Sequence, residues 1–499
     1  MKYITSLILL LFSVLTAFSQ STDTSQWRPL YHFTAAKNWI NDPNGLIFLN
    51  GEYHLYYQHN PFENKWGHMS WGHATSRDLL NWKHLPVAIP EVVSKDTTTW
   101  IFSGSAVLDT KNTSGFGKNG KAPLVAVYTA DQPAQKKESQ FIAYSNDGGL
   151  SFTPYAKNPV IDLHRKNFRD PNVFWHQPSQ QWVMSVAVPD DFIVKFYGSK
   201  DLKDWSLLSD FGPSGYKKHD WECPSLVPLA VDGNPSHIKW VLMVSSGGDK
   251  GPLIQYFIGD FDGKTFKNDY PEKILTVDYG DTFYAAIPWR MDKGVHTLIG
   301  WLMPGGQETS PWKGQMSVPR DLSLKTTSEG LRLFQQPSAV FSKAVKAKYV
   351  NKQHVLSHIV IGSQDRPLPE AGKGNAYWID AEFSMGEASR AGFKIAQNAD
   401  ASKEIIVGYD APKQELYVDF TRSERGRKPD GNLLQTISLK SSGNLKLQIM
   451  VDKSSLDIFA GHGEKVFTSL IYPDQDAAGV SVFGAGSKFI KLNILNMDK

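Results

Sequence analysis

Short apolar runs, each closed by a cluster of turn residues, recur along most of the chain. They include "YHLYYQ" at 53–58, "PLVAVYTA" at 123–130, "QWVMSVAV" at 181–188, "KWVLMVSS" at 239–246 and "VHTLIGWL" at 295–302. Their length and their aromatic and β-branched content predict strands, and no convincing amphipathic helix competes, so the class is all-β. A weak repeat runs through the same region: "SRDLLNWKHL" from Ser76, "SNDGGLSFTPY" from Ser145, "SKDLKDWSLL" from Ser199 and "GDFDGKTFK" from Gly259. Each is a turn carrying Asp, then an aromatic, then an outgoing strand. Recurrence every ~50 to 70 residues is what four-stranded blades with variable loops produce, and blades repeated around an axis form a propeller. Residues 27–340 leave room for a β-propeller of about five blades.

After "RLFQQPSAV" at 332–340 the rhythm changes. The Lys-rich "FSKAVKAKYV" at 341–350 reads as a connector. Strict alternation in "AYWIDAEFSM", "EIIVGYD", "QELYVDFTR", "NLKLQIMVD" and "SLDIFAG" then predicts a β-sandwich over 350–499.

Composition narrows the function. With 15 Trp, 19 Tyr and 27 Phe, many beside Gly, Asn or Asp, the chain suits a sugar cleft, because sugar rings present apolar C–H faces to aromatic rings. A formal charge of +3 with scattered Lys and Arg offers no patch for nucleic acid or an anionic membrane. Lys2 followed by an apolar run at 4–15 and small residues near Ala17 and Ser19 predicts a cleaved signal peptide, residues 1–19, and export to the periplasm or medium. No later segment is long and apolar enough to span a bilayer. The single Cys223 means that the exported chain relies on its cores rather than on an internal disulfide.

Three turn-like sites share one build, an acid beside Pro in aromatic surroundings: Asp42 in "NWINDPNGL", Asp170 in "NFRDPNVFW" and Glu222 in "HDWECPSL". Pro stiffens the backbone that carries the carboxylate. Singly, each has an ordinary explanation: Asp42 caps a turn, Asp170 pairs with Arg169, Glu222 is a solvated surface acid. Together they fall in successive blades, whose loops gather at one end of the axis. Carboxylates converging on a neutral hydroxylated substrate imply glycoside chemistry: one attacks the anomeric carbon, a protonated one donates to the leaving oxygen. A third, kept ionised by an arginine, would hold sugar hydroxyls, and Asp170 beside Arg169 fits that task.

"NWINDPNGL", "FRDP" and "WECP", in this order, resemble glycoside hydrolase family 32, the invertase, levanase and inulinase family. "YHLYYQHNP", "WGHMSWGHATSRDLLNW", "FSGSAV", "DYGDTFYAA", "SPWKGQMSVPRDL" and "SSLDIFAGHGEKVFTSLIYP" extend the resemblance over essentially the whole mature chain. It implies a five-bladed propeller joined to a β-sandwich, retention of configuration, and neither metal nor cofactor. It makes Asp42 the nucleophile, Glu222 the general acid/base and Asp170 the stabiliser of the transition state. Asn41, Gln58, Trp66, Ser103 and Arg169 match positions lining the fructosyl subsite, joined by Tyr279 and Trp312 from more variable loops. Ile40 replaces the usual Met, a volume-conserving change, and "GWLMPGG" at 300–306 departs from the commoner asparagine-containing version on the leaving-group side. The implied activity is release of terminal fructose from levan, inulin and sucrose. An endo-levanase, an invertase, a non-catalytic fructan-binding propeller and an inverting arabinan-type propeller hydrolase remain alternatives.

Other features read as structural. His54, His59, His68 and His73 match no usual ligand spacing, Cys223 lacks a triad-like setting and reads as a packing residue, and "AQKKESQ" at 134–140 reads as a solvated loop.

Overall fold

A computed structural model describes residues 25–95, 97–248, 251, 253–291, 294–372, 374–423, 433–441 and 443–497; the expected signal peptide lies outside them. Five strands surround one axis: β1 (Asn38–Leu49), β2 (Thr98–Leu108), β3 (Arg169–His176), β4 (Glu222–Val231) and β5 (Phe283–Arg290). Each opens an antiparallel meander, and each packs against the inner strands of both neighbours, β5 against β1 included, so the ring closes. These are the five blades among the described residues. A parallel pairing of Asn38 with Trp312 ties the first blade to the segment between the second and third strands of the last.

The cores lie between blades because each sheet is apolar on both faces. Tyr56 and Trp71 meet Ala126 and Tyr128 between the first and second blades, and Phe174 and Phe196 meet Leu226 and Phe257 between the third and fourth. The sequence repeat has a physical cause. Asp78 Oδ1 accepts the amides of Leu80 and Asn81, and Asp147, Asp201 and Asp262 do the same for residues two to four positions on. Such Asx turns leave the third strand in the first four blades.

The three acid sites are not turns, and they stand in the first, third and fourth blades rather than in successive ones, with Ser103 of the second blade between them. Every inner strand carries the same bulge at its start. Ile40 pairs with His59 and Pro43 with Tyr57, so three residues advance on one strand against two on the other. The same slip occurs between Ile101 and Gly104, Arg169 and Asn172, Glu222 and Ser225, and Tyr284 and Ile287. Asp170, Cys223 and Ala285, the first bulge residues in three blades, adopt left-handed φ of 66°, 50° and 51°. Pro171 and Pro224 fall inside these bulges, where the ladder needs no N–H, so Pro is tolerated within the strand. "NDPNG" is thus extended but doubly bulged, with a second slip between Asn44 and Ile47.

Two six-stranded sheets form the C-terminal β-sandwich. The connector preceding it is helical. Phe341 and Val345, one turn apart on helix α1 (Ala339–Lys348), bury against a cluster that holds Tyr31 from the propeller side and Trp378 from the sandwich. Two apolar positions are too few to stand out as a helical stripe in the sequence.

Buried charges join the domains. His32 sits between two sandwich carboxylates, Nδ1 2.9 Å from Asp452 and Nε2 3.0 Å from Asp457. Arg320 reaches Asp278 at 2.7 Å and Asp457 at 3.3 Å. Burial pulls the His32 pKa down, but hydrogen bonds and charge from the two aspartates outweigh it and raise it from 6.5 to about 9. Since the folded value exceeds the unfolded one, this contribution is complete below about pH 6.5 and is lost as pH rises through about 9. His32→Gln removes the imidazolium from between Asp452 and Asp457, of which only the latter keeps Arg320, and is expected to cost about 3–5 kcal/mol near pH 6. Denaturant titrations of both proteins near pH 6 and above pH 9 test this; a deficit that does not shrink at the higher pH refutes the imidazolium's role.

Candidate active site

The bulges bring the polar residues together. Asp42 and Ser103 occupy the same bulge position in β1 and β2, and Ser103 Oγ donates to Asp42 Oδ2 at 2.6 Å. Trp39 Nε1 donates to Asn41 Oδ1 at 2.8 Å, and Asn41 Nδ2 donates to Asp42 Oδ1 at 3.0 Å, so both carboxylate oxygens are held. Asn44, fully buried, staples the bulge from behind: its Nδ2 donates to the Asp42 carbonyl at 2.8 Å and its Oδ1 accepts the Gly104 amide at 2.9 Å. Gly104 is required by the neighbouring strand, because a Cβ there would lie 2.1 Å from the Val127 carbonyl oxygen.

Cys223 links the acids. Its amide donates to Asp170 Oδ2 at 2.9 Å, and its Sγ lies 3.5 Å from Asp170 Oδ2 and 3.7 Å from Asp42 Oδ2. The packing residue of the sequence reading therefore touches two acids and is chain neighbour to the third. Glu222 is fixed through both oxygens, by Arg169 Nη1 at 2.9 Å and the Tyr284 hydroxyl at 2.7 Å.

Arg169 does not hydrogen-bond Asp170. Its guanidinium turns to Glu138, with Nε at 3.0 Å and Nη2 at 2.9 Å, and to Glu222. Arg169 therefore reaches Asp170 through charge alone and not through a hydrogen bond. Burial first, then the charges of Glu222 and Asp42, push its pKa well above that of an ordinary aspartate, outweighing the more distant pull of Arg169. Burial also raises Asp42, opposed by the hydrogen bonds of Ser103 and Asn41.

Other expected site residues are spread more widely. Gln58 is buried and donates to the Ile101 carbonyl at 3.0 Å, next to the β2 bulge. Trp66 is 53% exposed on the rim, edge-on to Trp100 at 5.3 Å and Phe102 at 6.0 Å. Trp312 lies buried with Arg28 4.7 Å over its ring, behind the start of β1. Tyr279 packs on the sandwich core, its amide donating to the Val466 carbonyl at 2.8 Å. The structure does not bring Tyr279 to the carboxylates. Tyr284, five residues on, takes that place.

Tyr284 and Glu138 escaped the sequence reading. Tyr284 had a signal in standing within "DYGDTFYAA", one of the stretches that carry the resemblance; in the structure it, like Arg169 and Glu222, precedes the left-handed residue of an inner-strand bulge. Glu138 had none. The supposed solvated loop at 134–140 runs into the strand Lys137–Ser145, where Glu138, Ser139 and Gln140 are buried. A buried glutamate reads as solvent-exposed until its guanidinium partner is known. Of the histidines, Nδ1 of His54 lies 3.1 Å from Nε2 of His73, whose pKa burial lowers to about 3, and Nδ1 of His59 lies 2.8 Å from the Trp39 carbonyl, so these three are tied into the first blade.

Comparison with known proteins agrees with this architecture. The N-terminal domain of glycosyl hydrolases family 32 matches residues 32–337, and the C-terminal domain of that family matches 341–496. A levanase of Bacillus subtilis is 41% identical over 99% of this chain and 74% of its own. An extracellular exo-inulinase of Aspergillus niger is 38% identical over 92% of each chain. The crystal structure of the exo-inulinase from Aspergillus awamori superposes with a TM-score of 0.87 at 36% identity, covering 95% of this chain and 98% of that one. A fructofuranosidase from Schwanniomyces occidentalis complexed with fructosylnystose superposes with a TM-score of 0.84 at 28% identity, covering 96% and 99%. Bulged inner strands, acids gathered at their starts, and two family domains filling 32–496 all converge: the chain belongs to glycosyl hydrolases family 32.

Proposed function

We propose that the protein is an exported, retaining β-fructosidase that removes terminal fructose from fructans such as levan and inulin, and also cleaves sucrose. In the first step an Asp42 oxygen bonds to C2 of the terminal fructose as the C2–O bond to the leaving group breaks, and Glu222 gives its proton to that oxygen. Water then attacks C2, Glu222 takes a water proton, and the bond to Asp42 breaks, releasing fructose with its configuration retained. Asp170 holds ring hydroxyls as positive charge develops. Asn41, Gln58, Trp66, Ser103, Arg169, Tyr279 and Trp312 make up the fructosyl subsite or support it, Trp312 from behind β1 and Tyr279 from the sandwich side.

The observation that carries this reading is the sharing of Cys223. Asp42 and Asp170 both lie within 3.7 Å of its sulfur, and Glu222 precedes it in the chain. The charge of Glu222 also acts on Asp42, so the nucleophile and the acid/base belong to one cluster, as double displacement with its two closely spaced carboxylates requires. The exo-inulinase and levanase relatives support the substrate class, and the extracellular exo-inulinases support export.

A chromatographic time course with levan, inulin and sucrose tests the reading. Fructose is expected as the sole early product from a polymer. A ladder of oligosaccharides would make the protein an endo-enzyme, and cleavage of sucrose without polymer would make it an invertase.

A further inference from the structure

The inner strands run in one direction, so the carboxylates at their starts lie at one end of the axis. At the other end is a cavity of about 460 Å³, lined by the later parts of β2, β3 and β5. Tyr284 and Arg290 on β5 are six residues apart, about 20 Å of strand, which separates this cavity from the acids. Its size falls within the usual range for small-molecule sites.

The cavity's charge is one-sided. Arg290 and Lys111 line it, and no carboxylate among the described residues does. The Arg290 guanidinium lies 4.7 Å over the Phe174 ring, Nη1 donates to the Leu226 carbonyl at 2.7 Å, and Nη2 donates to Asn172 Oδ1 at 2.6 Å. Those bonds leave N–H donors of the planar fork unused. The Lys111 ammonium sits 4.9 Å over the Trp175 ring, with one long contact of 3.4 Å to Gln180 Oε1. Among the described residues neither cation has an acidic partner. Arg169 and Arg320, the other buried arginines discussed above, each have two.

Burial lowers the Arg290 pKa with no carboxylate to offset it, and the same cation adds to burial in pushing His296 down to about 4. A guanidinium so enclosed still keeps its charge. An enclosed cation without a counter-charge is costly, and a ligand that supplies one recovers that cost.

We propose that this rear cavity binds a small hydroxylated oxyanion, a sugar acid or sugar phosphate. Its carboxylate or phosphate lies on the Arg290 fork, with Lys111 as a second positive pole and its carbon skeleton against Trp175 and Trp182. The guanidinium fork matches either oxyanion through paired N–H···O bonds. The indole walls suit the apolar faces of a sugar-like skeleton.

Calorimetry on the full chain at fixed ionic strength tests this, with gluconate and inorganic phosphate as probes and chloride as control. Binding of gluconate, phosphate or both is expected where chloride gives none, and the better probe names the oxyanion. Arg290→Gln is expected to weaken it at least about tenfold, and Lys111→Gln, a partner of no backbone group, to weaken it severalfold while leaving sucrose hydrolysis unchanged. If Arg290→Gln fails to fold, Lys111→Gln decides. An unchanged Kd in the folded variants, or no binding by the native chain, overturns the proposal. So does probe binding that competes with sucrose, because the probe would then occupy the carboxylate site.

Discussion

Asp42→Asn is expected to abolish turnover of sucrose and fructan, lowering kcat on the order of 10⁴-fold or more while the fold survives. The amide keeps the shape of the carboxylate. Its oxygen can still accept from Asn41 Nδ2, and its nitrogen can donate to the Ser103 hydroxyl, which now donates to Asp42. What disappears is the nucleophile. Rapid quenching of the native enzyme with a slow substrate should show one fructosyl unit added to the protein mass, and the variant should show none. Because burial raises the Asp42 pKa, activity of the native enzyme should fall on acidification above the range of an ordinary aspartate. A folded Asp42→Asn protein retaining a tenth or more of native kcat would remove Asp42 from the covalent step.

Glu222→Gln is the second large effect, a loss of about 10²–10⁴-fold in kcat on sucrose. Glutamine can still accept from Arg169 or Tyr284, and Arg169 remains anchored by Glu138, so the pocket should keep its shape. The loss should depend on the leaving group. A fructoside of an acidic phenol needs little proton donation, so its first step should recover in the variant. The second step still lacks a base, and phenol should appear as a burst followed by slow turnover. Near-native hydrolysis of sucrose by the folded variant would rule Glu222 out as the acid/base, and a loss equal for all leaving groups would point to a binding role instead.

The two predictions rest on features of different legibility. Acid-before-Pro at Asp170 and Glu222, and Asp42 before Pro43, was plain in the sequence as a repeated local pattern. Its meaning as a turn was not correct. A bulge and a turn draw on the same residues, since both need left-handed φ or a missing N–H, and only pairing with the second strand of each blade tells them apart. The helix α1 was lost for a related reason: its burial depends on a sandwich that the propeller residues meet only in space.

By itself the sequence determined the strand periodicity, the division into propeller and sandwich, the Asp-carrying turns and the three carboxylates, because each is written in residues close together along the chain. The tertiary structure alone decided which groups meet. Arg169 and Glu222 are 53 positions apart, Tyr284 and Glu222 are 62, and Cys223 and Asp42 are 181. Whether Arg169 serves Asp170 or Glu138, which acid holds a proton, and whether Glu138 is buried all follow from such contacts. So does the lack of an acidic partner for Arg290 among the described residues. Charge, burial and hydrogen bonding act through a few ångströms of space, and ring closure of the five blades sets those distances.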